Sequence, residues 1–153
     1  MRLYIVRHGK ALSESPTGRD RDRALAWAGQ EQVRFLAREL SEIGAEVVLS
    51  SPYARAWATA EPIALALGAA LREEASLECD HPPSRVLACL ERMEAESLVL
   101  VGHNPQLSDL VGMLARDASE VRLRTGEAVG LECPGDLSLR RGEIVATWRL
   151  EAD

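Results

Sequence analysis

Apolar residues fall along this chain in two patterns: short unbroken runs, and stripes at spacings of three and four. Leu3-Tyr4-Ile5-Val6, Val47-Val48-Leu49 and Leu98-Val99-Leu100-Val101 are too short for helix cores and rich in β-branched side chains. Each therefore predicts a buried strand. After the first run, Val33, Leu36, Ala37, Leu40 and Ile43 recur with helical spacing and predict an amphipathic helix over 30–43, ended by Gly44. After the second run, Ser51-Pro52 predicts an N-cap followed by proline at the first helical position. That helix is expected to run through Ile63, Leu65 and Leu67 to Gly68, kinked or broken at Pro62.

Residues 70–77 contain a short strand signal, and 78–82 read as a loop. Pro83 opens a helix with Val86, Leu87, Leu90 and Met93 on its inner face. Beyond the third apolar run, Asn104 caps a further helix, Pro105 is its first residue, and Leu107, Leu110, Val111 and Leu114 form its stripe. From Val121 the chain turns to β character, with strands expected over 128–133 and 144–150. Strands alternating with helices imply an α/β three-layer sandwich. The expected sheet is central and mostly parallel, with helices on both faces and one antiparallel edge strand from the tail. A chain of 153 residues suits one domain over 1–153 and can bury roughly 70% of its unfolded surface.

Composition narrows the function classes. Hydrophobic residues make up 46% and charged residues 27%, which is ordinary for a soluble globular chain and argues against disorder. A net charge of −6 gives no basic surface for nucleic acid, so a phosphate site here must be a local concentration of Arg and His. Cys79, Cys89 and Cys133 lack Cys-x-x-Cys spacing and read as reduced residues rather than a disulfide framework or metal set. Met1-Arg2 leads straight into the first strand, leaving no room for a signal peptide, and no apolar run reaches transmembrane length. The expected location is cytoplasmic, with no membrane partner.

The candidate chemistry lies at the ends of the predicted strands, where ligands bind in open α/β sheets. The first strand delivers Arg7-His8-Gly9, with a glycine that permits a tight turn and close approach of an anion. Arg55 lies in the first turn of the helix after the second strand, beside free backbone N–H groups that favour anions. The third strand ends in Gly102-His103. Taken singly, Arg55 reads as a surface arginine and either histidine as a packed core residue. Together Arg7, His8, Arg55 and His103 carry more positive capacity than can be buried without an anion, and a phosphoryl group supplies one. Neighbouring cations also hold an imidazole unprotonated, which suits a nucleophile.

Residues 10–23 show no period and form a loop directly after His8, placed to wall the site. In it Asp20 or Asp22 is a candidate proton donor, and Arg23 a candidate to orient the loop or touch substrate; the alternative is a solvated charge run. Glu78 and Asp80 are further possible donors, though acidic loop residues are more often merely solvated, and His81 reads the same way. Thr125-Gly126-Glu127 lies just before the first tail strand, and the sequence does not decide whether it reaches the site.

Arg7-His8-Gly9 after an N-terminal strand resembles the motif of the histidine phosphatase superfamily, which includes the phosphoglycerate mutases. Ser50-Ser51-Pro52-Tyr53-Ala54-Arg55-Ala56-Trp57-Ala58-Thr59-Ala60 resembles the family's second segment, and Val101-Gly102-His103-Asn104-Pro105 its third. The short chain points to the compact, SixA-like phosphohistidine phosphatase branch, although Ala24 stands where that branch commonly has proline after Arg23. The resemblance implies a phosphoglycerate mutase-like fold and attack by His8 on phosphorus to give a phosphohistidine intermediate that water hydrolyses. Arg7, Arg55, His103 and Gly9 would bind the phosphoryl group. No cofactor or metal is implied.

No segment matches the mutase-type glutamate acid, which fits a phosphoramidate, whose imidazole leaves readily, better than an ester. The expected partner is a phosphohistidine-bearing protein such as a histidine phosphotransfer domain, with the chain a monomer or weak oligomer. A phosphatase of small esters such as sugar or nucleotide phosphates is the alternative. A non-catalytic phosphate-binding module is the third reading.

Overall fold

The computed structural model describes residues 1–117 and 121–151. In chain order the main elements are β1 (Arg2–Arg7), α1 (Trp27–Glu39), β2 (Val47–Ser50), α2 (Ala54–Leu67), β3 (Ala70–Glu73), α3 (Pro83–Glu91), β4 (Ser97–Gly102), α4 (Gln106–Leu114), β5 (Glu127–Glu132) and β6 (Glu143–Arg149). They form one six-stranded sheet in the order β3-β2-β4-β1-β5-β6. β3, β2, β4 and β1 are mutually parallel, and β5 runs against both β1 and β6. The strand of opposite direction is therefore one place in from the edge. β5 and β6 form an antiparallel pair, so only one of them can oppose the rest, and it is the one that pairs with β1.

The alternation of side chains along the apolar runs builds two cores. Leu3, Ile5, Leu98, Leu100 and Leu49 face α3 and α4, where Val86, Leu90, Leu107, Leu110 and Leu114 close the layer. Tyr4, Val6, Val48, Val99 and Val101 face α1 and α2, against Leu36, Leu40, Ala56, Ala60 and Ile63. A run apolar at every position suits strands covered on both faces, and each large side chain so buried contributes about 1.5–3 kcal/mol.

Three local expectations are corrected. The first helix spans Trp27–Glu39, earlier than its apolar stripe, because Leu40 and Ile43 are carried by the turn that follows: the Ile43 N–H donates to the Leu40 carbonyl. Pro62 leaves α2 a single element from Ala54 to Leu67, held down by Ala60, Ile63 and Ala64 buried on either side of it. Both expected N-caps fall outside their helices. Tyr53 rather than Ser51 precedes α2, and Pro105 rather than Asn104 precedes α4. Asn104 still ties the start of α4, since its Oδ1 accepts from Ser108 N and Oγ at 3.2 and 2.8 Å.

Parallel register carries the ends of these strands to one place. Arg7 pairs with Gly102 and Ser50 with Val101, so β1, β4 and β2 finish side by side. The Ser51 N–H donates to the Val101 carbonyl and the His8 N–H to the Gly102 carbonyl. Gly9 is required by packing: a Cβ there would lie 2.9 Å from the Gly29 carbonyl oxygen of α1. A Cβ at Gly29 would in turn land on the Lys10 carbonyl. Two facing glycines thus let the loop after His8 lie flat on α1.

Candidate active site

His8, Arg7, Arg55 and His103 converge at this common end of the sheet. The His8 and His103 rings lie 5.2 Å apart between centroids. His8 Nδ1 is 2.7 Å from the Gly9 carbonyl oxygen. A carbonyl only accepts, so Nδ1 carries the proton and Nε2 keeps its lone pair. Arg55 Nε donates to that Nε2 at 3.3 Å.

Arg55 is nearly buried, at 4% exposure, and every face of its guanidinium is engaged. Nη1 donates to the Asp20 carbonyl at 2.9 Å, and Nη2 to Asp20 Oδ2 at 3.1 Å and to Cys79 Sγ at 3.2 Å. Tyr53 lies against the same group, its ring 5.2 Å from the Arg55 guanidinium carbon and edge-on to His103. Arg7 Nη1 donates to the Leu123 carbonyl at 3.1 Å, which Asn104 Nδ2 also reaches at 2.7 Å. Arg7 Nε and His103 Nδ1 are buried without a partner, whereas His103 Nε2 sits 2.8 Å from Ser51 Oγ. Buried polar atoms without partners cost about 1–3 kcal/mol each, so a site that holds two of them within a cluster of four cationic or imidazole groups is built for an anion.

Electrostatics point the same way. Burial is the main cause that pushes the His8 pKa down to about 4; the Gly9 hydrogen bond opposes it, and the Arg55, Arg7 and Arg23 charges each add a smaller lowering. Burial, His8 and Arg55 push His103 down to about 3. Both rings are neutral at pH 7. Because the folded pKa values lie below the ordinary value near 6.5, the unfolded chain binds more protons between those limits. Their contribution to stability is fully present above about pH 6.5 and is lost as pH falls towards the folded values. Denaturant unfolding is expected to show stability falling between pH 7 and 5 by about 1–2 kcal/mol per histidine. His8→Asn should remove about half of that slope; an unchanged slope would contradict the assignment.

The remaining candidates are distributed unevenly. Asp20 lies in a short 3₁₀ turn over Asp20–Asp22 and is paired with both Arg55 and Arg23. These two arginines hold its carboxyl below the usual range in spite of an opposing desolvation effect. Arg23 orients the loop: Nε binds Asp20 and Nη1 the Leu12 carbonyl. Asp22 is turned to Thr17 Oγ1, and Glu78 lies 3.9 Å from His81, so neither touches the cluster. Gly9 offers no free N–H, since it donates to Thr59 Oγ1 at 3.0 Å. Gly126 does reach the site, its N–H bonding the Arg7 and His8 carbonyls.

Several contacts escape sequence reasoning. Thr59 left a usable signal, four residues after Arg55 on the same helix face, and its hydroxyl donates to the Arg55 carbonyl. Ser51, Cys79 and the Leu123 carbonyl left none, because their partners are distant in sequence. Among the described residues no group of His, Cys, Asp and Glu could hold a metal ion, and no helix is long and apolar enough to cross a membrane.

In a search of curated proteins none matched the chain. Among solved structures, the protein histidine phosphatase SixA complexed with tungstate superposes with a TM-score of 0.84 at 22% identity over 97% of each chain. A chain assigned as the SixA phosphohistidine phosphatase of Agrobacterium tumefaciens gives 0.82 at 25% identity over 98% of each. A mycobacterial glucosyl-3-phosphoglycerate phosphatase with VO3 gives 0.73 at 16%, covering 98% of this chain and 99% of that one. The model of the histidine phosphatase superfamily (branch 1) matches residues 3–80, just over half of the chain. The protein is thus an enzyme of the phosphatase type and belongs to the histidine phosphatase superfamily.

Proposed function

We propose that this enzyme hydrolyses phosphohistidine on a protein, through a covalent phosphoryl group on His8. The observation that carries the substrate class is the state of the acidic residues. Ester cleavage needs a proton donor for the leaving alkoxide, worth typically 10²–10⁴-fold. Asp20, the one candidate carboxyl in contact with the cluster, is held ionised by Arg55 and Arg23. Asp22 and Glu78 are turned to Thr17 and His81. A phosphohistidine needs less help, because an imidazole takes its proton readily from solvent as it leaves. The likeness to two SixA chains supports the same reading.

In this mechanism the Arg55 Nε–H lets go of His8 Nε2 and turns to the phosphoryl oxygens, and the freed Nε2 lone pair attacks phosphorus in line. The N–P bond of the donor breaks, its electron pair returns to the departing imidazole, and that ring is protonated by solvent. Water then attacks the same phosphorus, the His8 Nε2–P bond breaks, and inorganic phosphate leaves with His8 restored. Arg7, Arg55 and His103 Nδ1 stabilise the equatorial oxygens, where fixed donors in a dry site contribute most of the catalysis. The Asp20 carboxylate leaves Arg55 to the incoming phosphoryl oxygens, a like-charge exchange open to it because the Asp20 side chain is more than half exposed and can be hydrated. Gly9 serves the fold at this point rather than the phosphoryl group, since its N–H is taken by Thr59.

The test compares kcat/KM for a phosphohistidine-bearing phosphotransfer protein with that for sugar and nucleotide phosphates, in the wild type and in Asp20→Asn. The phosphoramidate should be the faster substrate, and Asp20→Asn should change its turnover by less than about 10-fold, well short of the loss of a general acid. Fast ester hydrolysis abolished by Asp20→Asn, with phosphohistidine ignored, would overturn the reading in favour of a small-ester phosphatase.

A further inference from the structure

His103 has one ring nitrogen engaged and the other free, and what engages it is Ser51. Sheet register brings the two together: with Ser50 opposite Val101, the residue after β2 stands beside the end of β4. Ser51 is wholly buried and His103 nearly so, at 2% exposure. Ser51 Oγ accepts the Tyr53 N–H at 3.2 Å and lies 2.8 Å from His103 Nε2. His103 Nδ1 is buried with no partner.

These contacts decide the direction of the bond. If Nε2 carried the proton and donated to Ser51, the buried hydroxyl proton would have no acceptor and Nδ1 would be a bare lone pair, two unsatisfied groups. If the hydroxyl donates to Nε2, a single group is left over, the Nδ1–H. Each unsatisfied buried group costs about 1–3 kcal/mol, so the second arrangement wins. We propose that Ser51 is a positioning residue that holds His103 as its Nδ1–H tautomer, reserving a neutral hydrogen-bond donor for the phosphoryl oxygens beside His8. The use of that donor rests on phosphoryl transfer at His8; the tautomer itself does not. The opposite tautomer would present a lone pair to phosphoryl oxygens and repel them. Burial together with His8 and Arg55, which keep His103 neutral, leaves the tautomer as the property that matters.

The chain has three histidines, so ¹⁵N-histidine labelling gives three ring systems, assigned with His103→Asn. In the free wild-type protein at neutral pH, long-range ¹H–¹⁵N correlation should show His103 protonated at Nδ1 with a lone pair at Nε2. In Ser51→Ala the proton should move wholly or partly to Nε2. kcat should fall at least about 10-fold, below the 10²–10³-fold that outright loss of such a donor costs, with KM little changed. A wild-type His103 protonated at Nε2 overturns the proposal, and this spectrum decides the matter even where Ser51→Ala does not fold. An unchanged Nδ1–H tautomer in folded Ser51→Ala overturns it as well. The predicted tautomers in a protein that forms no phospho-His8 would instead uphold the Ser51 contact and refute the transfer mechanism.

Discussion

Replacing His8 with alanine should lower kcat by about 10⁴-fold or more while the protein stays folded. Losses of that order follow removal of a nucleophile, because the surviving donors can bind the phosphoryl group but have nothing to pass it to. The ring is mostly buried, yet its outward contacts are few: the Gly9 carbonyl on one nitrogen and Arg55 Nε on the other. The backbone around it is fixed independently, by the His8 N–H on Gly102 and the Gly126 N–H on the His8 carbonyl. Circular dichroism and thermal melting should therefore resemble the wild type, and a phosphorylated substrate should still bind. Residual turnover within about 10-fold of wild type would show that another residue attacks phosphorus.

Arg55→Lys should also lower activity severely, though by less than the loss of His8, and should likewise leave stability little changed. The guanidinium spans His8 Nε2, the Asp20 carbonyl, the Asp20 carboxylate and Cys79 Sγ from one planar group. A lysine ammonium keeps the charge but not the fork, so it cannot grip a phosphoryl oxygen pair. kcat/KM is expected to fall by about 10²–10³-fold, the range seen when one fixed transition-state donor is lost. The stranded Asp20 side chain is 57% exposed and can be hydrated, so the melting temperature should move little. Arg55→Lys at near wild-type kcat/KM would mean that charge alone, without bidentate geometry, suffices.

The sheet was legible because its inner strands are apolar at successive positions, a pattern that only burial on both faces explains. The convergence of His8, Arg55 and His103 was legible for a related reason: parallel strands must all end on one side, and each of the three follows a strand end closely. Helix ends were read less well. Ser51 and Asn104 have the chemistry of caps, and each does accept a backbone N–H, from Tyr53 and Ser108. Which residue begins the helix, however, depends on the turn that joins it to the strand. The site's supporting contacts were least legible. Ser51 finds His103 fifty-two residues away, and Arg7 binds a backbone carbonyl at Leu123, an atom every residue has. For Asp20 the sequence offered only a carboxyl near arginines. That it is a counter-ion to Arg55 and Arg23, and so ionised, follows from loop geometry that no local pattern encodes.

The most direct test of the central claim is a rapid quench without acid, first with an aryl phosphate and then with a phosphohistidine-bearing protein, read by mass spectrometry of the peptide that contains His8. The account predicts a phosphoryl group on His8 that appears and decays within turnover, forming faster from the phosphohistidine donor. Turnover with no label on that peptide, or with the label on another residue, would contradict it.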